Sequence, residues 1–157
     1  MMKKNVLISA CLLGLDCKYN GENNFTQKIT DLINGNQNVC FIPVCPEQMG
    51  GLCTPREPCE IIQDRQSVES EQGNDFSKQF AKGAKETLKL ARLFDCKMAL
   101  LKENSPSCGS HTIYDGTFSH RKIEGMGYTA SLLQLNGIEV FSENEIEMFC
   151  TKCNDKL

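Results

Sequence analysis

Four short apolar runs set the frame into which this chain must fold: KNVLISA (4–10), VCFIPVCP (39–46), CKMALLKE (96–103) and IEVFSE (138–143). The first is a continuous stretch of β-branched and apolar residues, which reads as a short buried strand and not as an alternating one. Helical patterns fall between the runs. FTQKITDLINGN (25–36) places Ile29, Leu32 and Ile33 at helical spacing and stops at Gly35. DFSKQFAKGAKETLKLARLFD (75–95) carries Phe76, Phe80, Ala84, Leu88, Ala91 and Phe94 on one stripe. TASLLQLNG (129–137) is a further helix, closed by Gly137. Strands alternating with helices predict an α/β fold, a single layered domain over 1–157 with a mostly parallel, Rossmann-like sheet flanked by helices. The polar tail, 150–157, reads as loose.

Two segments fit neither strand nor helix. EQMGGLCTPREPCE (47–60) and the stretch after the third run, NSPSCGSHTIYDGTFSH (104–120), are rich in Gly, Pro and Ser and read as long shaped loops. Long loops in compact domains are often functional.

The chain has 157 residues, enough to bury a core without disulfide staples, so its 10 cysteines do not imply a disulfide framework. The opening MMKKNVLISAC superficially matches a lipoprotein signal with Cys11 as the lipidated residue. Between Lys4 and Ser9, however, only Val6, Leu7 and Ile8 are apolar, whereas an export signal needs roughly 7–15 apolar residues. No stretch approaches the roughly 20 apolar residues of a membrane span. A formal charge of -3 gives no basic face for duplex nucleic acid, although a few local cations suffice for a small anion. A cytoplasmic, reduced chain of this composition points to metal or thiol chemistry.

Ligands of open α/β sheets bind outside the carboxyl ends of the strands. Cys11 and Cys45 follow directly on the first two predicted strands, and Cys108 lies in the loop after the third. Their surroundings, SACLLG, PVCPE and SPSCGS, are small residues and prolines that allow close backbone approach. Cys40 and Cys96 sit in or beside apolar runs and read as core. Cys150 and Cys153 form a CxxC without the second pair of a zinc ribbon or the strand-helix context of a thioredoxin site. Three thiolates without an obvious fourth suit an iron-sulfur cluster with one open iron.

Glu47 is either a general base or an exposed loop charge, and Ser105 either a proton relay or a turn former. Arg56 is either a phosphate ligand or an arginine tied to a neighbouring glutamate. GMGYTA (125–130) lacks the preceding strand of a dinucleotide loop, but Gly125 and Gly127 could bring backbone N–H groups to a phosphate at a helix N-terminus. His111 and His120, the only histidines, read as structural.

Four motifs, SACLLGLDCKYNG, PVCPEQMGGLCTPREPCEI, KENSPSCGSHTIYDGTFS and GMGYTASLLQLNGIEVFSE, resemble in order the bacterial thiouracil desulfidase family, formerly a domain of unknown function. The resemblance implies a cytoplasmic enzyme that removes the sulfur of thiouracil or 4-thiouridine monophosphate by hydrolysis. It implies a 4Fe-4S cluster held by Cys11, Cys45 and Cys108, with the sulfur captured on the open iron and released as hydrosulfide. Glu47 would deprotonate the attacking water and Ser105 would assist proton transfer. His120 stands where the family pattern has a glycine, and Met126 where an acidic residue is common. Two other readings stay open: a zinc-binding module that also uses Cys53 and Cys59, and a metal-free thiol redox protein. Cys17 is a further sulfur without an assigned role.

Overall fold

The computed structural model describes residues 2–155. The chain runs β1 (Lys4–Ser9), one 3-10 turn (Ala10–Leu13), α1 (Gln27–Gly35), β2 (Val39–Val44) and the single-turn α2 (Pro46–Met49). An antiparallel pair follows, β3 (Cys59–Ile62) and β4 (Ser67–Ser70), then α3 (Ser77–Leu93) and β5 (Met98–Leu101). A second antiparallel pair, β6 (Thr112–Tyr114) and β7 (Lys122–Glu124), leads to α4 (Tyr128–Leu135), β8 (Glu139–Ser142) and α5 (Ile146–Asn154).

The four anticipated strands pair in parallel as one sheet in the order β2-β1-β5-β8. Both faces are covered. Val6, Ile8, Met98 and Leu100 point to one side, where Ile29 and Leu32 of α1 and Phe149 of α5 pack on them. Leu7, Ala99 and Leu101 point to the other, against Leu88 and Ala91 of α3 and Ala130 and Leu133 of α4. This two-sided burial explains why β1 and β5 read as continuous apolar runs.

The chain leaves β1 toward β2 on one side and returns to place β5 on the other, so the strand order reverses between β1 and β5. A crevice opens at the carboxyl ends of the strands at such a reversal.

Two expectations are corrected. Cys40 is exposed, because β2 is an edge strand whose outward face the helices leave uncovered. The tail is ordered as α5 through Asn154, held by Phe149 and Cys153 in the core, while residues 156 and 157 lie outside the described residues. The loop over 47–60 also begins as α2 and ends in β3.

Candidate active site

At that reversal lies a cavity of about 340 Å³. Its wall includes Cys11, Cys45, Cys108, Glu47, Ser105 and Arg56, six residues singled out in the sequence. Each arrives by a separate local device.

β1 delivers Cys11 into the 3-10 turn, which closes on Gly14 at φ 94°, a left-handed conformation that glycine adopts without strain. The Cys11 carbonyl accepts the Gly14 N–H at 3.2 Å and the Asn24 N–H at 2.9 Å, fixing the backbone behind the thiol.

Cys45 follows directly on β2 and caps α2, its carbonyl accepting the Met49 N–H at 2.9 Å. Glu47 stands in the first turn of that helix, where a carboxylate is favoured by the exposed N–H groups. α2 can sit there only because α3 presents no side chain at the contact: a Cβ on Gly83 would lie 1.9 Å from the Pro46 carbonyl oxygen.

Cys108 comes from the loop after β5, where Ser105 Oγ accepts the N–H of Ser107 and of Cys108, each at 3.1 Å. The loop is pinned to α4. The Ser107 carbonyl accepts the N–H of Thr129 at 2.9 Å and of Ala130 at 3.1 Å, and Pro106 accepts that of Tyr128 at 2.9 Å. Gly127 permits this contact, since a Cβ there would lie 2.4 Å from the Ser107 carbonyl carbon.

The same bonds correct the reading of Gly125 and Gly127 as phosphate binders. Neither lines the cavity, and their N–H groups are spent on the carbonyls of His111 and Gly109 at 3.0 and 2.8 Å. The glycines serve packing of the Cys108 loop. Arg56 resolves toward its second reading: its guanidinium is ion-paired with Glu47 and donates to the Cys17 carbonyl at 2.8 Å, the Cys53 carbonyl at 3.2 Å and Thr54 Oγ1 at 2.9 Å.

Five cysteines line the cavity in all, Cys17 and Cys59 joining the three. Cys53 is exposed and away from it. His120 is on the wall, whereas His111 is not part of it and reaches Glu103 from an exposed position. Burial pushes the Cys11 thiol up, opposed by a hydrogen bond from Asn24, and pushes Cys108 well above the ordinary thiol range. Burial likewise lifts Cys17 and Cys59 to about 12. Without a metal the buried sulfurs are therefore held as thiols, and a cationic centre would supply the counter-charge that lets them ionise.

Glu103, which the sequence reading passed over, organises the cavity's far wall. Only 6% exposed, its Oε1 accepts the N–H groups of Ser110 (2.8 Å), His111 (3.0 Å), Thr112 (3.2 Å) and Asn104 (3.4 Å). Desolvation raises its pKa, but these backbone donors outweigh it and hold the carboxyl below its ordinary range. The only sequence signal was a charged pair, Lys102-Glu103, at the end of a buried strand. Lys102 in turn pairs with Glu143 at 2.9 Å.

The model of the 2-thiouracil desulfurase family matches residues 6–145. The chain belongs to that family. It is accordingly an enzyme of C–S bond cleavage, in agreement with the four sequence motifs. It is 42% identical over 149 residues to the uncharacterized protein YbbK of Bacillus subtilis (strain 168), spanning 90% of this chain and 97% of that one. A solved structure, the [4Fe-4S]-dependent thiouracil desulfidase TudS, superposes with a TM-score of 0.86 at 37% identity, covering 96% of this chain and 97% of the other.

The donor set fits an iron-sulfur cluster: three soft sulfur donors from separate strand ends surround an open cavity. Among the described residues no three His, Cys, Asp or Glu side chains converge on one point as a single bound ion requires. No helix of the described residues is long and apolar enough to cross a membrane.

Proposed function

We propose that this chain is a single-domain, cytoplasmic, iron-sulfur-dependent desulfidase that hydrolyses the C–S bond of a thiolated pyrimidine such as thiouracil or 4-thiouridine monophosphate. In the reaction a C–O bond to water forms, the C–S bond breaks, and sulfur leaves with its electron pair as hydrosulfide. No external oxidant or reductant is needed. The observation that carries the reading is the meeting, in one cavity, of three cysteines from three strand ends with a carboxylate and a hydroxyl. The ten cysteines are all free thiols, which suits a reducing compartment.

Cys11, Cys45 and Cys108 would hold a 4Fe-4S cluster, which when bound supplies a soft Lewis acid for the substrate's sulfur. Glu47 takes a proton from the attacking water. Its carboxylate is oriented by Arg56, whose other bonds tie it to the Cys17 and Cys53 carbonyls. Ser105 accepts two backbone N–H groups, so its own O–H is the part left to bond substrate and pass a proton.

The test is anaerobic reconstitution followed by assay of hydrosulfide from 2-thiouracil, 4-thiouracil and 4-thiouridine monophosphate. Hydrosulfide and the oxo-pyrimidine in equal amounts from at least one of them is the expected result. A loaded cluster with no release from any would overturn the proposal.

A further inference from the structure

The net charge of -3 conceals an uneven distribution. α3 holds five of the 17 Lys and Arg residues, Lys78, Lys82, Lys85, Lys89 and Arg92, and one of the 20 Asp and Glu residues, Glu86. Spacings of four and three residues bring all five cations to one side of the helix. The other side, with Phe80, Ala84, Leu88 and Ala91, is buried, and the five cations are exposed. α4, which packs in the same layer, carries no charged residue.

Little in the protein neutralises this row. Lys89 pairs with Glu86 at 2.7 Å, a surface pair of the kind that contributes little. Arg92 donates to Asn136 Oδ1 at 2.9 Å, a neutral partner. Lys78, Lys82 and Lys85 have no ion-pair partner among the described residues. Asp75 lies near Lys78, but its Oδ1 accepts the Ser77 N–H at 2.8 Å. From Lys78 to Arg92 the row runs about 21 Å at 1.5 Å per residue, the length of about six phosphates spaced at 3.4 Å along a strand.

Such a row fits a polyanion. It does not fit a lipid surface, because an interfacial helix buries an apolar face and that of α3 is spent on the sheet, while Leu93 and Leu135 are exposed only at helix ends. Nor does it fit a protein interface, whose core is apolar and depleted of lysine. A flexible single strand can lie along a straight row of charge, whereas the backbone of a duplex winds away from it.

We infer that the outer side of α3 is a binding surface for the phosphates of single-stranded RNA, without base preference. None of its five cations lines the cavity, so the surface is separate from the site of C–S cleavage. Naming RNA as the strand rests on the desulfidase reading, whose substrates are thio analogues of uracil and its nucleotide; the row of charge does not depend on that reading.

Fluorescence anisotropy of a labelled 12-nucleotide oligouridylate with the reconstituted protein tests the inference, with an RNA duplex, poly-glutamate and phosphatidylserine vesicles in parallel. With five cations engaged, log K should fall against log salt with a slope of about -3.5, roughly 100-fold weaker binding between 50 and 200 mM. Lys78→Gln, Lys82→Gln and Lys85→Gln combined should leave the melting temperature and the rate on the free thiolated base at the native level. That protein should bind the strand at least about 10-fold more weakly at low salt, with a slope of about -1.4. Glu86→Gln should bind it more tightly. No binding by the native protein at about 100 μM, the weak end of non-specific binding, or native affinity in the triple variant, would overturn the inference. So would displacement of the strand by poly-glutamate of equal charge, or tighter binding to the duplex or the vesicles. The binding arms need no turnover, so a protein that binds the strand through this row but releases no hydrosulfide would overturn the desulfidase reading and leave the surface standing.

Discussion

Removing the Glu103 carboxylate should loosen the loop that presents Ser105 and Cys108. In the native chain one buried oxygen accepts four backbone N–H groups, three of them from the consecutive residues Ser110, His111 and Thr112. Truncation in Glu103→Ala leaves those donors facing a small void. Each unsatisfied buried donor costs about 1–3 kcal/mol, and entry of water recovers part, so a net loss of about 3–5 kcal/mol is expected. Glu103→Gln keeps an acceptor oxygen but loses the charge and turns an amide toward Ser110 Oγ and His111 Nδ1, which sit 3.3 Å from Oε2. About 1–2 kcal/mol is expected there. Urea unfolding of the metal-free chain at neutral pH reads both as a lower midpoint with an unchanged slope. The pH dependence supplies an internal check. Because the folded carboxyl has its pKa lowered, its contribution is fully present above the unfolded value of 4.5 and is lost as pH falls through the folded value. The gap between the native chain and Glu103→Gln should therefore narrow on acidification below about pH 4.5. A Glu103→Ala protein within 1 kcal/mol of native, taking ~1 kcal/mol as the cost of one ordinary hydrogen bond, or a gap that does not change with pH, would refute this account of the loop.

Other consequences follow from the site. Glu47→Gln should lower kcat by about 10²–10⁴-fold, the usual range for a lost general base, while iron and sulfide content stay at the native level. Ser105→Ala should lower kcat and also cost about 1 kcal/mol of stability, because its Oγ accepts the Ser107 and Cys108 N–H groups; kinetics and urea unfolding measure the two separately. Gly83→Ala, which in a free helix would be stabilising, should instead cost about 2 kcal/mol or more by driving a Cβ against the Pro46 carbonyl. In a chain of this size that lowers the melting temperature by roughly 5 °C; a higher melting temperature would show that α2 is not seated as described.

The parallel sheet was legible because β1 and β5 are buried on both faces, and α3 because its stripe from Phe80 to Ala91 repeats at the helical period. The convergence of Cys11, Cys45 and Cys108 followed from chain order alone, since strand ends of a parallel sheet share an edge. The two antiparallel pairs were not legible: their strands are only three or four residues long, and β7 carries a single apolar residue, Ile123. Cys40 misled because an edge strand and an inner strand share the same apolar composition. α5 was missed because its burial depends on Phe149 meeting Phe41 and Phe141, contacts between distant segments. Arg56 and Glu103 show the same limit within the site. Each is a charged loop residue whose partners, Glu47 for one and the 110–112 backbone for the other, are brought to it only by the fold.

The central claim is that Cys11, Cys45 and Cys108 together hold the cluster. Iron and acid-labile sulfide per chain after anaerobic reconstitution test it most directly, compared across single alanine replacements of all five cavity cysteines. Loss of iron and sulfide in Cys11→Ala, Cys45→Ala and Cys108→Ala, with native loading in Cys17→Ala and Cys59→Ala, is the predicted result. Full loading in any of the first three, or loss of the cluster in either of the last two, would contradict it.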